Sequence, residues 1–158
     1  MTSLAWGLAV AGVLAAALGW VRRTLIVVTV EGRSMEPTFD AGDRVLARRA
    51  SLRRVRTGDV VVVGPAARPE PGTPRLLIIK RAAAVPGDPV PREAVPALAG
   101  VAEDEVPRGK LVLLGDSPLS VDSRQHGYVD GERLIGVVVR RLSAGAPGPV
   151  PAAARRTP

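Results

Sequence analysis

Midway along the chain lies the run Leu76-Leu77-Ile78-Ile79-Lys80-Arg81-Ala82, in which four aliphatic residues precede a lysine. Short runs of aliphatic and β-branched residues between glycine and proline are typical of β-strands. Because side chains alternate along a strand, Lys80 shares a face with Leu76 and Ile78. Desolvation of its ammonium group among such neighbours lowers the lysine pKa. The alternative is a lysine at a strand end whose ammonium reaches water.

Similar runs lie on both sides of this one, at residues 25–30, 44–47, 59–63, 110–114 and 134–141. No amphipathic helical pattern of ten or more residues follows residue 21. We therefore predict a mainly β domain over residues 22–143. Within it, the proline-rich stretches 65–75 and 86–109 are predicted to be irregular loops, and residues 144–158 are predicted to be a disordered tail.

The first 21 residues carry no charged side chain. As a helix, residues 4–21 would extend about 27 Å, close to the thickness of about 30 Å of a bilayer hydrocarbon core. Trp6 and Trp20 stand near its ends, and Arg22-Arg23 follows. We predict a single transmembrane anchor over residues 1–21. We expect it to be retained rather than cleaved, because secretory signals begin with basic residues and this segment has none before residue 4. The arginines that follow favour a cytoplasmic domain by the positive-inside rule.

Composition removes several kinds of chemistry. The 158 residues include no cysteine and one histidine, His126, which excludes disulfides, thiol nucleophiles, and cysteine or multi-histidine zinc sites. The serine chemistry considered next implies no metal or cofactor. Of 22 basic residues, only Lys80 and Lys110 are lysines. The net charge of +7 suggests anionic lipid or nucleic acid as a partner, but aromatic residues make up only 3% of the chain, which weakens a base-stacking interpretation.

Two polar motifs stand on either side of the lysine run. The first, Glu31-Gly32-Arg33-Ser34-Met35-Glu36-Pro37-Thr38, follows a predicted strand. Pro37 prevents continuation as a helix or central strand, which leaves Ser34 on an irregular turn. The second is the loop 115–127, rich in hydroxyl and charged groups; those of chemical interest are Ser120, Asp122, Arg124 and His126.

A serine nucleophile needs a neighbouring base that takes its proton. His126 is one candidate. A desolvated Lys80 is the other, and it gives each motif a role: Ser34 attacks, Lys80 accepts the proton, and the Ser120 hydroxyl orients the amine.

The three motifs and their order resemble those of the type I signal peptidases, the membrane-anchored serine–lysine endopeptidases. The matching patterns are Gly-x-Ser-Met-x-Pro-Thr, then Lys-Arg-x-x-x-x-Pro-Gly-Asp, then Gly-Asp-…-Ser-x-Asp-Ser-Arg-x-x-Gly. The resemblance covers residues 30–139 and implies a signal-peptidase-like β-sheet catalytic domain. It also implies a role for each matching residue: Ser34 as nucleophile, Lys80 as general base, Ser120 as the group that holds the lysine amine, Gly32 and Ser34 at the oxyanion hole, Met35 in the substrate cleft, and Asp122 with Arg124 as a structural pair.

The chain departs from the family pattern at four places. Gly32 stands where some members have a second oxyanion-hole hydroxyl, and Phe39 replaces the usual leucine. Ser117 replaces an asparagine, and the loop from there to Ser120 is one residue shorter. His126 stands where an aromatic residue is common, and we interpret it as a packing residue rather than a base.

The resemblance implies removal of signal peptides from exported preproteins after small residues. It also implies a cell-membrane protein whose catalytic domain faces the extracytoplasmic side. This orientation conflicts with the arginines after the anchor, which favour the cytoplasm. The lipid bilayer is then an expected partner, and nucleic acid is not expected. Two alternatives remain open: a dedicated maturation protease for one precursor, and a non-catalytic, membrane-anchored basic β module that binds anionic lipid or nucleic acid.

Overall fold

The computed structural model describes residues 2–65 and 77–143, with side chains of the first helix described from residue 12 onward. Helix α1 leads directly into a seven-stranded antiparallel sheet. The elements are α1 (Thr2–Thr24), β1 (Leu25–Thr29), β2 (Arg44–Arg49), β3 (Val60–Val63), β4 (Ile78–Ala84), β5 (Lys110–Leu114), α2 (Ser123–His126), β6 (Val129–Asp130) and β7 (Leu134–Ser143). Single 3-10 turns occur at Leu52–Arg54, Pro96–Leu98 and Gly131–Arg133.

The prediction of a mainly β architecture is confirmed. All six predicted strands are present, with ends that differ by a few residues, and β4 begins at Ile78 and continues to Ala84. The strand missed from the sequence is β6, which has only two residues and therefore no readable alternation. Residues 86–109 contain one 3-10 turn and an isolated bridge between Pro89 and Glu105. Residues 66–76, which include all of the predicted loop 65–75 except its first residue, and the tail 144–158 lie outside the described residues.

The last strand occupies the middle of the sheet. The strand order is β1-β2-β7-β3-β4-β5-β6, so β7 pairs with β2 on one side and with β3 on the other. At the crossing stands Gly136, where an added Cβ would lie 2.4 Å from the Arg48 carbonyl oxygen. A glycine is needed there because the β2 backbone leaves no room for a side chain.

Aliphatic side chains form three buried clusters along the sheet. The first joins β1 and β2 to the serine motif and holds Met35 and Phe39. The second lies under β3, β4 and β5. The third packs the irregular segment 86–109 against the ends of β4 and β5. The segment that carries Ser34 is therefore held in the core by Met35 and by Phe39, which directly follows the motif.

Helix α1 covers the segment predicted as a membrane anchor. Several of its apolar side chains are exposed, among them Val13, Leu14 and Trp20. In the part of the chain that the structure describes, however, no helix is both long and apolar enough to cross a membrane. The predicted transmembrane anchor is therefore not supported by the structure.

Candidate active site

Ser34 lies in the segment 32–43 between β1 and β2, which we call the serine turn. It starts at Gly32, whose φ of +77° favours glycine, and its Glu36–Pro37 peptide bond is cis. The Phe39 amide donates to the Met35 carbonyl at 2.9 Å. Met35 is fully buried, whereas Ser34 is only half-buried. The sequence thus folds into a turn that holds its methionine in the core and leaves the serine at the surface of the cleft.

Lys80 stands in β4 opposite Val61 of β3. Its side chain is buried at 6% exposure, and Nζ donates to the Ser120 hydroxyl at 2.6 Å. Burial lowers the lysine pKa; the charge of Arg124 lowers it further, and that of Asp122 opposes the shift. Ile78, a predicted apolar neighbour on the same face, is 38% exposed. The loop that carries Ser120, rather than Ile78, therefore accounts for much of the cover over the amine.

The loop 115–127 is held by its own polar groups. Asp122 caps α2: it accepts from the Arg124 amide at 3.0 Å and from the Gly115 amide at 2.8 Å. The Arg124 guanidinium pairs with Asp122 at 3.2 Å and also donates to the Gly115 carbonyl. Ser120 is 4% exposed, and its amide donates to the Ser117 carbonyl. The hydroxyl that faces Lys80 is therefore fixed by a closed hydrogen-bonded loop.

The serine turn and this loop touch through their backbones. The Ser117 amide donates to the Ser34 carbonyl at 3.1 Å. An added Cβ at Gly115 would lie 2.2 Å from the Ser120 hydroxyl oxygen and 2.4 Å from the Ser34 carbonyl oxygen. Gly115 therefore permits the close approach of the three motifs, and the fold gathers Ser34, Lys80 and Ser120 into one region.

A second ion pair beside Lys80 was missed from the sequence. Arg81 donates to Asp116 through Nε at 2.8 Å and through Nη2 at 2.6 Å. This two-point contact lowers the pKa of Asp116. Arg81 also reaches the Gly58 carbonyl and, at 3.4 Å, the Thr38 hydroxyl. Its signal in the sequence was the adjacency of an arginine to Lys80 and of an aspartate to Gly115.

A small cavity of about 230 Å³ opens beside Ser34. Its walls are mostly aliphatic and come from the end of β1, the serine turn and the start of β4; they are Val30, Glu31, Met35, Leu77, Ile78 and Ile79. Met35 thus borders a cleft next to Ser34. The carboxylate of Glu31 at the same wall was not singled out from the sequence.

His126 is exposed at the end of α2, so the prediction that it packs inside the domain is wrong. Four-residue α2 places its side chain outward, and the aromatic contacts of this region come from Tyr128 in the third cluster. Among residues 2–65 and 77–143, no group of three or more histidine, aspartate or glutamate side chains is arranged to hold a metal ion.

The tight contact at Gly115 generates a stability prediction. We expect Gly115→Ala to lower the free energy of unfolding by about 1–3 kcal/mol, because the new methyl group must push apart the serine turn and the Ser120 loop. Gly100→Ala is the matched control, since an added Cβ there meets nothing within 4 Å; its effect should stay within about 0.5 kcal/mol. Denaturant unfolding of both variants measures this, and equal stabilities would contradict the packing described.

Comparison with known proteins identifies the family to which the chain belongs. A family model described as "Signal peptidase, peptidase S26" matches residues 3–95, more than half of the chain. The matched range includes Ser34 and Lys80, and it ends before the loop that carries Ser120. No curated protein matches the sequence. A serine turn whose backbone contacts the loop that binds a buried lysine agrees with that match. The chain belongs to the type I signal peptidase family, peptidase family S26, whose members are serine peptidases.

Proposed function

We propose that this protein is a serine endopeptidase that removes signal peptides from exported preproteins with a dyad of Ser34 and Lys80. The observation that carries the proposal is the Lys80 amine, which is buried, has a lowered pKa and donates to Ser120 in the loop that touches the Ser34 backbone. A lysine in this state can work as a base at a pH where an exposed lysine is protonated.

In the first half of the reaction, neutral Lys80 takes the proton of the Ser34 hydroxyl as Oγ attacks the scissile carbonyl. The Ser34 amide, two residues after Gly32, donates to the oxyanion, an interaction of about 3 kcal/mol per donor. The amide C–N bond then breaks, and the Lys80 ammonium returns its proton to the leaving amine. This leaves an acyl ester on Ser34 and a neutral lysine.

In the second half, Lys80 takes a proton from water and the resulting hydroxide attacks the ester carbon. The bond from that carbon to Ser34 Oγ then breaks, the new carboxyl terminus leaves, and the Lys80 ammonium returns the proton to Oγ. Lys80 donates one N–H to Ser120, which directs its lone pair away from that hydroxyl. Asp122 and Arg124 hold the loop that presents Ser120. Their roles are therefore to position the base, and Ser120 itself exchanges no proton with the substrate.

The cavity beside Ser34 supports contact with apolar side chains of an extended peptide, because its walls are mostly aliphatic. The family resemblance implies that these side chains are small. Pockets of this kind discriminate by about 1–3 kcal/mol per methylene. We therefore propose preproteins with small residues before the cut as substrates, and a peptide series with alanine or leucine at that position tests the preference.

Dyad variants test the proposed chemistry. We expect Ser34→Ala and Lys80→Met each to lower preprotein cleavage by about 10⁴-fold or more, because nucleophile and base act as a unit. Lys80→Arg should be equally inactive, since arginine keeps its proton. His126→Ala is the matched control and should retain activity, because His126 is exposed on α2. Full activity of Lys80→Arg would eliminate the dyad, and an inactive His126→Ala would favour a histidine base.

The pKa of Lys80 sets the pH dependence. Only the neutral amine is a base, so kcat/KM should rise with pH and reach half its maximum below 10.5, the ordinary lysine pKa. Arg124→Gln removes a charge that lowers this pKa and should move the rising limb to higher pH. Arg108→Gln removes an exposed arginine instead and should leave the limb in place. An unchanged limb in Arg124→Gln would show that another group titrates.

We also propose that α1 attaches the domain to a membrane, with the catalytic domain on the extracytoplasmic side. Its exposed apolar side chains, such as Val13, Leu14 and Trp20, support lipid contact. In sealed cells, externally added protease should digest the domain, and the intact protein should float with lipid vesicles. Protection from the protease would reverse the orientation, and failure to float would remove the lipid contact.

A further inference from the structure

The serine turn is fastened at its far end by an arginine of β7. The Arg141 guanidinium forms an ion pair with Asp43 at 3.0 Å and donates to the Thr38 carbonyl oxygen. Its central carbon lies 5.0 Å from the centroid of the Phe39 ring. One side chain therefore makes three different contacts with the segment that follows Ser34.

The carboxylate in this contact is buried. Asp43 is 1% exposed, and it also accepts from the Asp40 amide at 3.0 Å. A buried carboxylate is stable in a fold only when it is paired and hydrogen-bonded. Arg141 supplies the positive charge and Asp40 supplies part of the hydrogen bonding. The end of the serine turn is therefore an electrostatic anchor and is held by more than apolar packing.

The anchor is connected to Ser34 by short backbone links. Thr38 is held from two sides, with its carbonyl on Arg141 of β7 and its hydroxyl near Arg81 of β4. The next residue, Phe39, donates its amide to Met35, the neighbour of Ser34. A shift of Thr38 or Phe39 would therefore also displace Ser34, because one hydrogen-bonded turn joins them. Arg81 connects the same turn to β4, the strand that carries Lys80.

The aromatic partner of Arg141 is a departure from the family pattern. Phe39 stands where the family pattern usually has leucine. A guanidinium is attracted to an aromatic face, but it gains no such attraction from leucine. Phe39 and Arg141 therefore form a matched pair, in which the ring packs into the first cluster and presents its face to the charge.

We propose that Arg141 is a positioning residue for the Ser34 nucleophile, an inference that rests on the proposed peptidase function. Arg141 lies outside the set of residues that line the cleft beside Ser34. It acts by fixing the distance and direction of Ser34 relative to Lys80. Its loss is felt in the chemical step rather than in substrate binding, because a displacement of about 1 Å at the reacting atoms can lower the rate about 100-fold.

The test compares two adjacent arginines of one strand. Arg141→Met keeps much of the side-chain length and removes the charge; kcat should fall about 10- to 100-fold while KM changes less than about twofold. Arg140→Met makes the same chemical change at the neighbouring exposed position and should leave both constants unchanged. Arg141→Lys, which keeps the ion pair and loses the planar fork, should recover part of kcat. Phe39→Leu should lower kcat by about two- to fivefold.

Two controls keep the inference separate from the proposed function. Ser34→Ala in the same assay shows whether turnover depends on the serine; if it does not, the proposed function fails. If turnover depends on Ser34 and Arg141→Met retains the kcat of Arg140→Met, the positioning role of Arg141 is overturned. Unfolding curves show whether Arg141→Met is folded at the assay temperature, and if it is not, Arg141→Lys and Phe39→Leu decide the question, with wild-type kcat in both overturning the inference.

Discussion

The insertion of β7 between β2 and β3 is the constraint on which the site depends. Without it, β1 and β2, which carry the serine turn, would share no strand pairing with β3 to β6, which carry Lys80 and its loop. Because the joining strand comes last in the chain, the two halves are brought together only by contacts between residues far apart in sequence. Gly136 allows the close approach, and Arg141 on the same strand reaches the serine turn itself.

A buried lysine is a cost to the stability of the fold, and the proposed peptidase function would account for it. Lys80 would be more favourable to stability as an aliphatic residue, since desolvation opposes its charged form. The surroundings relieve this cost only in part: Ser120 accepts one hydrogen bond, and the nearby charges of Asp122 and Arg124 act in opposite directions. Such a partly compensated buried amine is the kind of departure from stability that active sites retain.

The strands and the buried lysine could be predicted from the sequence because they depend on local patterns. A mostly aliphatic run of seven residues located β4, and the apolar residues around Lys80 drew attention to that lysine. The long-range arginine contacts that hold the site could not be predicted in this way. Arg81 and Asp116 are 35 residues apart in sequence, and Arg141 and Thr38 are 103 apart. Their contacts follow from the strand order, which no local pattern of the sequence indicates. The exposure of His126 likewise follows from the outward direction of α2, which composition does not reveal.

The scarcity of lysine acquires a physical meaning in this fold. Arg81, Arg124 and Arg141 each join a carboxylate and a backbone carbonyl, a geometry that suits a planar guanidinium with several fixed donors. A guanidinium does not act as a proton donor or acceptor at ordinary pH, so these contacts supply positive charge and fixed donors without taking part in proton transfer. The buried lysine is the exception, because its proton can leave. The proposed peptidase function uses a neutral amine at Lys80 and charged guanidinium groups around it. Arginine at position 80 would not release its proton, and lysine at the arginine positions would lose the planar set of donors.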